Sequence, residues 1–328
     1  MKIKMLWDQV FSICDQDLLF QSRIHLLPTF AHSDCQVFVK REDESGFGIS
    51  GCKKRKYASL VPFLKKEKYE QVSLIGGRNS NHIAGFSQLL RENSIPFHLC
   101  LRQTSEALKG KLEGNSLLTN LLTQPDQITW VENQQWSEVE NLAKHAFPQT
   151  HHFVVPEGGS CEAALPGAMT LMYDIIRNET QIGQTFDHIF IDSGTALIAG
   201  ALVMMNQILD RKSQIHVVLM ADDADYFQQR LELFGQWYEN LFHRKTPEIN
   251  QFTTHFPGTA RSFGSVNASV LKETRRLAME EGLITDPVYT TKLFMTAREV
   301  IHRDHLQGRI LIIHSGGGTG LMGFGERF

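Results

Sequence analysis

The sequence has few cysteines, and no pattern among them would pair them or bind a metal. The five cysteines are scattered singly along 328 residues, without a C-x-x-C pair or the His/Cys spacing of zinc sites. Their odd number argues against a disulfide framework and indicates a reducing compartment. We therefore expect a cytoplasmic protein without a metal centre; its cysteines are Cys14, Cys35, Cys52, Cys100 and Cys161.

Long apolar runs and an excess of basic charge are also missing. The N-terminus reaches Asp8 before a signal-length apolar stretch can form, and no run approaches the length of a membrane span. The formal net charge of −3 gives no general attraction to nucleic acid or anionic membranes. No low-complexity segment or repeat is present. These absences exclude membrane and nucleic-acid partners from the prediction and favour a small-molecule ligand.

What the sequence does contain is an alternation of short apolar runs with segments of helical period. This pattern predicts parallel, doubly wound sheets with helices on both faces, and the chain length allows two such domains. Candidate strands cover residues 37–39, 72–75, 97–101, 128–131, 152–155, 188–191, 215–219 and 310–313. Candidate helices cover residues 57–66, 81–92, 137–144, 163–177, 198–205, 226–241, 269–281 and 292–302.

Several candidate strands end in turns rich in glycine, serine or asparagine. Ligands of open α/β sheets bind beyond the carboxyl ends of the strands, so these turns should converge on one cleft. The turn at residues 193–197 has the form of an anion cradle between a strand and a helix, although Ser and Thr are also ordinary N-caps. It lacks the spacing of a nucleotide-binding loop. The turns are residues 76–77, 157–160, 193–195 and 315–318.

Three other features each have a functional and a structural interpretation. The basic run Lys53-Lys54-Arg55-Lys56 is a solvated helix start or, because cations oppose the dipole at a helix N-terminus, a contact for a bound phosphate. The segment Asn79-Ser80-Asn81-His82 is a helix N-cap or a set of polar groups aimed into the cleft. Tyr289 is a half-buried packing residue or a site residue. The residues alone leave these alternatives open.

In order along the chain, these segments resemble the D-cysteine desulfhydrase and 1-aminocyclopropane-1-carboxylate deaminase family. Gly51-Cys52-Lys53-Lys54-Arg55-Lys56 matches that family's G-N-K-x-R-K, and Asn79-Ser80-Asn81-His82 matches its Q-S-N-H. The resemblance runs from about residue 30 to the C-terminus. The other matching segments are residues 38–43, 114–118, 156–160, 286–290 and 313–317.

The resemblance implies a tryptophan-synthase-β-like enzyme of fold type II that uses pyridoxal 5′-phosphate (PLP). It implies a large domain of residues 1–45 and 157–328, a small α/β domain of residues 46–156, and a homodimer. Lys53 would be the Schiff-base lysine, and Ser80 and Tyr289 would be further catalytic residues. The implied cofactor contacts are Lys53, Lys56, Asn81, Ser193, Gly194, Thr195, Ala196, Leu197 and Ser315, the last at the pyridine nitrogen. The implied substrate contacts are Asn79, Ser80, Asn81, His82, Glu157, Gly158 and Tyr289.

The activity implied is α,β-elimination from a small amino acid such as D-cysteine, yielding pyruvate, sulfide and ammonia. His82 and Thr290 are similar to the desulfhydrases, since ring-opening deaminases typically carry Gln and Glu there. Cys52, Asn79, Glu157 and Leu197 depart from the family pattern. A 1-aminocyclopropane-1-carboxylate deaminase, a serine/threonine-type dehydratase and a PLP-binding relative with little activity remain alternatives.

Overall fold

The computed structural model describes residues 2–32, 34–104 and 111–328, which form two sheets covered by helices. The strands are β1 Ile24–Leu26, β2 Cys35–Arg41, β3 Gln71–Gly77, β4 Phe97–Arg102, β5 Ile128–Val131, β6 His152–Val155, β7 His188–Ser193, β8 Gln214–Leu219, β9 Phe252–His255 and β10 Gly308–His314. The helices are α1 Lys2–Ser12, α2 Cys52–Glu67, α3 Asn81–Glu92, α4 Asn115–Leu122, α5 Val139–His145, α6 Leu165–Ile182, α7 Leu197–Ile208, α8 Ala224–Phe242, α9 Ala268–Glu281, α10 Thr290–Arg303 and the short α11 Gly318–Leu321. Among the described residues, no helix is long and apolar enough to cross a membrane.

The larger sheet has the strand order β1-β2-β10-β7-β8-β9, and the smaller has the order β5-β4-β3-β6. All pairs are parallel except β1 with β2. The strands of the smaller sheet fall within residues 46–156, and those of the larger sheet fall outside that range. The domain boundaries themselves stay a prediction.

Helices cover both faces of the larger sheet because its central strands are apolar on both sides. Phe190 and Ile312 pack with Leu293 and Phe294 of α10, while Ile191 lies in the core that α6 and α7 complete on the other face. The smaller sheet is likewise divided between two apolar clusters. The helices therefore cover the faces of the sheets and leave the carboxyl ends of the strands open.

Helix α2 begins at Cys52, so the predicted start at residue 57 was wrong. Its N-cap is Gly51, which has a φ of 73° and offers no side-chain cap. Serine, threonine, aspartate and asparagine are the usual N-cap residues, and none of them is at position 51, directly before Cys52. The correction places all four cations of the basic run in the first turn and a half of the helix.

A buried ionic cluster anchors α2 against α6. The Arg55 guanidinium donates to Glu42 over 2.6 Å and to Asp174 over 2.7 Å, and Lys40 donates to Asp174 over 2.6 Å. All four side chains are at most 3% exposed. Close backbone contact adds to this, because a Cβ on Gly167 of α6 would lie 2.1 Å from the Arg55 carbonyl oxygen. The first turns of α2 are therefore fixed in rotation and position.

Candidate active site

The first turn of α2 lies between turns that follow strands of both sheets. The amide of Cys52 donates to the carbonyl oxygen of Ser315, directly after β10, over 3.0 Å. The ammonium of Lys56 donates to the carbonyl oxygen of Gly158, after β6. Since β10 belongs to the larger sheet and β6 to the smaller, Lys53 lies where the carboxyl edges of the two sheets meet. This is the position at which α/β enzymes bind ligands.

The four consecutive cations of α2 have different surroundings and form no solvated patch. Successive side chains on a helix are about 100° apart. Lys54 donates to the carbonyl oxygen of Ser45 over 3.1 Å and lies 5.3 Å from the Phe20 ring centre. Arg55 and Lys56 are 1% and 2% exposed. The side chains of the basic run therefore contact other parts of the protein instead of forming a solvated surface.

Lys53 lies against Tyr289, with its Nζ 5.6 Å from the ring centre, within cation–π distance. Gly194 packs on the same ring, because a Cβ there would be 3.3 Å from Tyr289 Cε1. Burial, followed by the Asp286 carboxylate, raises the pKa of the Tyr289 phenol above its ordinary value. The phenol therefore keeps its proton at neutral pH and can donate a hydrogen bond.

Asp286 fixes the backbone on which Tyr289 sits. Its Oδ1 accepts the Tyr289 amide over 2.9 Å, and its Oδ2 accepts the Thr290 hydroxyl over 2.8 Å and the Thr290 amide over 3.1 Å. Asp286 and Thr290 are both buried. The Thr290 hydroxyl is thus used to hold this turn.

Lys56 and the turn after β7 form a site suited to an anion. Gly158, which accepts from Lys56, is so close to Thr195 that a Cβ on Gly158 would be 2.3 Å from Thr195 Oγ1. No carboxylate in the described part of the chain forms an ion pair with Lys56. Burial, followed by the charge of Lys53, lowers the pKa of Lys56 to about 7. A bound phosphate would supply the negative charge that stabilises this buried lysine in its protonated form.

The backbone of residues 193–197 completes the anion site. Ser193 ends β7, Ala196 has a φ of 66°, and Leu197 begins α7. The amides of Gly194, Thr195 and Ala196 donate no hydrogen bond within the described ranges. Undonated amides at the start of a helix are ready to bind an anion, as the sequence predicts for this turn.

Asn81 is held by Asn115 in a way that leaves its amino group to donate. Asn115 Nδ2 donates to Asn81 Oδ1 over 2.6 Å and to the Asn79 carbonyl oxygen over 3.0 Å. Thr319 in turn donates to Asn115 Oδ1 over 2.6 Å. Because Asn81 Oδ1 is occupied as an acceptor, its Nδ2 is the group available to an oxygen in the cleft.

Ser80 is the N-cap of α3, and its Oγ accepts the amides of His82 and Ile83 over 3.1 and 3.4 Å. The N-cap interpretation is therefore confirmed, and it is compatible with a site role because the hydroxyl proton is not used by the cap. His82 is fully buried, with Nδ1 2.9 Å from the Tyr57 hydroxyl and its ring stacked on Phe86. In this structure its ring has no surface to offer a substrate.

The residues that depart from the family pattern have different surroundings. Cys52 and Leu197 are buried, and desolvation raises the pKa of the Cys52 thiol well above its ordinary value, which makes that thiol unreactive. Asn79 and Glu157 are exposed. Enough protein surrounds the Glu157 carboxylate that desolvation nevertheless raises its pKa. Glu157 and Asn79 are therefore the departures accessible to a ligand.

A carboxylate that the sequence analysis did not single out lies beside Lys53. Asp192 is the penultimate residue of β7, and its side chain is close enough to Lys53 for the two charges to interact. Its Oδ1 is buried without a partner in the described part of the chain. Desolvation raises the pKa of Asp192 to about 6, against the lowering effects of Ser315 and Lys53.

The residues present fit the PLP that the resemblance implies. Lys56, Thr195 and the free amides of the 193–197 turn would hold the phosphate, and Lys53 lies against the Tyr289 ring, on which Gly194 also packs. The free amino group of Asn81 matches an oxygen acceptor on the ring. Among the described residues, no group of three His, Cys, Asp or Glu side chains would hold a metal ion.

Sequence reasoning missed the residues that position these groups. Asp192 lies near Lys53, and Asn115 bonds Asn81 and is itself bonded by Thr319, all across long separations in the chain. Asp286 accepts the amide of Tyr289, only three residues away. For Asp286 a local signal existed, since an Asp-Pro turn before a helix is a frequent capping arrangement. The other contacts require the sheet order and could not be found from local sequence.

We expect ligand phosphate to raise the pKa of Lys56, so that binding at pH 8 takes up protons. At that pH, above its value of about 7, Lys56 is mainly neutral in the free protein. Calorimetry of pyridoxine 5′-phosphate binding in buffers of different ionisation enthalpy measures this, because that ligand has no aldehyde to react with Lys53. Lys56→Met should abolish the uptake and weaken binding on the order of 10-fold or more. An uptake that persists in the variant would contradict the assignment.

Comparisons with known proteins agree with this geometry. A Pyrococcus furiosus protein, whose own assignment as a 1-aminocyclopropane-1-carboxylate deaminase is provisional, is 25% identical over 327 residues, covering 94% of this chain and 93% of that protein. D-cysteine desulfhydrase of Klebsiella pneumoniae is 23% identical over 302 residues, covering 89% of this chain and 90% of the enzyme. The sequence-based resemblance is therefore confirmed.

The fold prediction is confirmed by a crystal structure of an "ACC deaminase homologue". It superposes with a TM-score of 0.83 at 22% identity, covering 98% of this chain and 97% of the other. The family model described as "Pyridoxal-phosphate dependent enzyme" matches residues 16–316, which include every predicted site residue. The chain therefore belongs to the pyridoxal-phosphate dependent enzyme family, and PLP is its cofactor, as the sequence predicted.

Proposed function

We propose that this protein is a lyase that eliminates the β-substituent of a small amino acid, with D-cysteine as the substrate. The observation that carries the proposal is the position of Lys53, with Tyr289 on one side and the anion site of Lys56 and residues 193–197 close by. The products are pyruvate, sulfide and ammonia. One water molecule is consumed for each cysteine.

The bound cofactor supplies the electron sink that makes the Cα proton of the substrate acidic. Lys53, once released from the cofactor by substrate, takes that proton at its Nζ. Ser80 directs its free hydroxyl proton to the substrate carboxylate. Tyr289, which stays protonated, donates a hydrogen bond to the departing sulfur. Each role uses a group whose other contacts leave the required proton or lone pair available.

The surroundings of His82 and Thr290 favour elimination over ring opening. Both residues are fully buried; His82 Nδ1 lies 2.9 Å from the Tyr57 hydroxyl, and the Thr290 hydroxyl donates to Asp286. In ring-opening deaminases these positions typically carry Gln and Glu. The cleft therefore has no carboxylate at position 290. That this chain forms a homodimer remains a separate prediction.

A substrate panel tests the proposal. We expect D-cysteine to yield sulfide and pyruvate in equal amounts, faster than L-cysteine, and 1-aminocyclopropane-1-carboxylate to yield little 2-oxobutanoate. Sulfide by colorimetry and oxo acids by chromatography would be measured on PLP-loaded protein, with Lys53→Ala as the blank. Faster 2-oxobutanoate formation from the cyclopropane would favour the deaminase. Turnover of serine or threonine alone would favour a dehydratase, and bound PLP without turnover of any compound would contradict a catalytic role.

A further inference from the structure

Three histidines on neighbouring strands of the larger sheet contact one another through their ring nitrogens. Nδ1 of His188, in β7, lies 3.0 Å from Nε2 of His216, in β8. Nδ1 of His216 lies 3.0 Å from Nε2 of His255, in β9. Both distances are those of hydrogen bonds. Because His216 presents its two nitrogens to different neighbours, the side chains form a linear histidine row instead of a group around one ion.

The histidine row lies on the face of the sheet that α10 covers. Phe190, which packs against α10, stacks on the His216 ring with 4.3 Å between the ring centres and 8° between the planes. His216 is 5% exposed, whereas His188 and His255 are half-buried at the two ends. The row crosses the strands diagonally, since Phe190 is opposite His216 and Val218 is opposite His255. The stacked central ring is therefore held in the plane in which both contacts are made.

The two contacts limit how many protons the histidine row can bind. Each contact between two ring nitrogens holds one proton, because one nitrogen must donate and the other must accept. The nitrogens at the two ends can carry one proton each, so the intact row holds no more than four. Three neutral imidazoles already carry three protons. The intact row can therefore take up one further proton, and a second can enter only if a contact breaks.

The charged groups around the row do not remove this limit. Those that act on its rings electrostatically are Asp187, before β7, and Glu299, Arg303 and Asp304 at the end of α10. Asp187 accepts the Arg309 amide over 2.7 Å, and Asp304 is paired with Arg303 over 2.7 Å. Burial, followed by the charges of the other two rings, lowers the pKa of His216 to about 3. Burial also lowers the pKa of both outer rings, so the closed row is neutral at pH 7.5.

We propose that the histidine row is a pH-sensitive switch that holds the edge strand β9 against β8 at neutral pH and releases it in acid. β9 is four residues long and, within the described ranges, pairs with β8 alone. Histidines freed from the row have pKa values of about 6.5, above those in the closed row. The contribution of the row to strand pairing is therefore complete above that pH and is lost as the pH falls. Each proton bound in excess by the open state raises its population about 10-fold per pH unit.

Release of β9 would affect the active site through the segment that follows this strand. His255 ends β9, and the chain continues to Phe263, whose ring centre lies 5.9 Å from that of Tyr289 with 70° between the planes. Tyr289 is the ring against which Lys53 lies. An open β9 would therefore weaken one support of this ring as the pH falls.

The test is hydrogen–deuterium exchange of the PLP-loaded protein at pH 7.5 and 5.5, followed by peptide mass analysis. After division by the intrinsic exchange rates at each pH, we expect β9 and residues 256–263 to lose protection on the order of 10-fold or more in acid. The opposite edge strand β1 is the internal reference, because its His25 contacts Leu26 and Arg41 instead of a second imidazole. Its protection should stay nearly constant.

Two variants remove the contacts between the rings. His216→Phe keeps an aromatic ring on Phe190, and each outer histidine can then bind a proton without breaking a contact. We expect its β9 to lose no more protection in acid than β1 does. His255→Leu frees β9 from the row and should give the same result, so it replaces His216→Phe if that variant does not fold at pH 7.5. His25→Phe is the matched control and should keep the native response.

A native β9 that opens in acid no more than β1 would overturn the proposal. So would an acid response of full native size in His216→Phe or in His255→Leu. A response that is lost in His25→Phe would also overturn it, because the sensitive group would then lie outside the histidine row. The exchange measurement requires no turnover, so its outcome is independent of the substrate proposed above.

Discussion

Lys53→Ala should lower kcat for the best substrate on the order of 10³-fold or more and abolish reduction-trappable cofactor. The variant loses both the amine that joins the cofactor and the base that removes the substrate proton. Neighbouring side chains cannot replace it, because Lys56 donates to Gly158 and Lys54 to Ser45. Borohydride reduction followed by peptide mass analysis locates the linkage, and product assays measure the rate.

Lys54→Ala is the matched control, since it removes the next cation of the same helix without touching Tyr289 or the anion site. We expect it to keep the trapped cofactor on Lys53 and most of the turnover. Trapping on Lys56 or on any other lysine of the native protein would refute the assignment. So would a Lys53→Ala protein that retains a reducible linkage.

Arg55→Leu should lower the free energy of unfolding by about 3–5 kcal/mol, the usual cost of breaking a buried ion pair. Glu42 and Asp174 would lose the guanidinium that bonds both of them, and Lys40 alone would face two buried carboxylates. Urea denaturation of the cofactor-free protein measures the change. Because Arg55 contributes no side chain to the cleft, the loss should appear as stability rather than as an altered substrate preference.

Two further variants separate the unpaired charge from lost packing. Arg23→Leu breaks the exposed pair with Glu44 and should cost about 0.2–1 kcal/mol. Adding Glu42→Leu to Arg55→Leu removes one of the two orphaned carboxylates and should recover part of the loss. If the double variant is less stable than Arg55→Leu, packing rather than charge is the main contribution of this cluster.

The central strands could be predicted from sequence because burial on both faces makes them continuous apolar runs, as residues 310–313 illustrate. The edge strands β1 and β9 were missed. Ile24–Leu26 is only three residues long, and Phe252–His255 contains two threonines and a histidine that reduce its apolar signal. Helix α1, whose sequence is amphipathic, was missed as well.

The residues of the candidate site also differ in whether local sequence could predict them. Lys53, Asn81 and residues 193–197 could be predicted as site residues because each falls in a motif that resembles one of the family, in the same order along the chain. Asp192 could not, since its position near Lys53 depends on a pairing between β7 and β10 that no local pattern reveals. The burial of Arg55 could not be predicted either, because a basic run has the same sequence whether its side chains are solvated or buried.

The basic run of α2 also has a consequence for how the chain can change over generations. One residue inserted or deleted between Gly51 and Lys53 would rotate the following side chains by about 100°. The cofactor linkage, the anion site, the Lys54 anchor and the ionic cluster would then be lost in a single event. A substitution changes one of the four cations at a time, whereas an insertion or deletion displaces all four together. Lineages that keep this activity should therefore vary in length elsewhere and never within this turn.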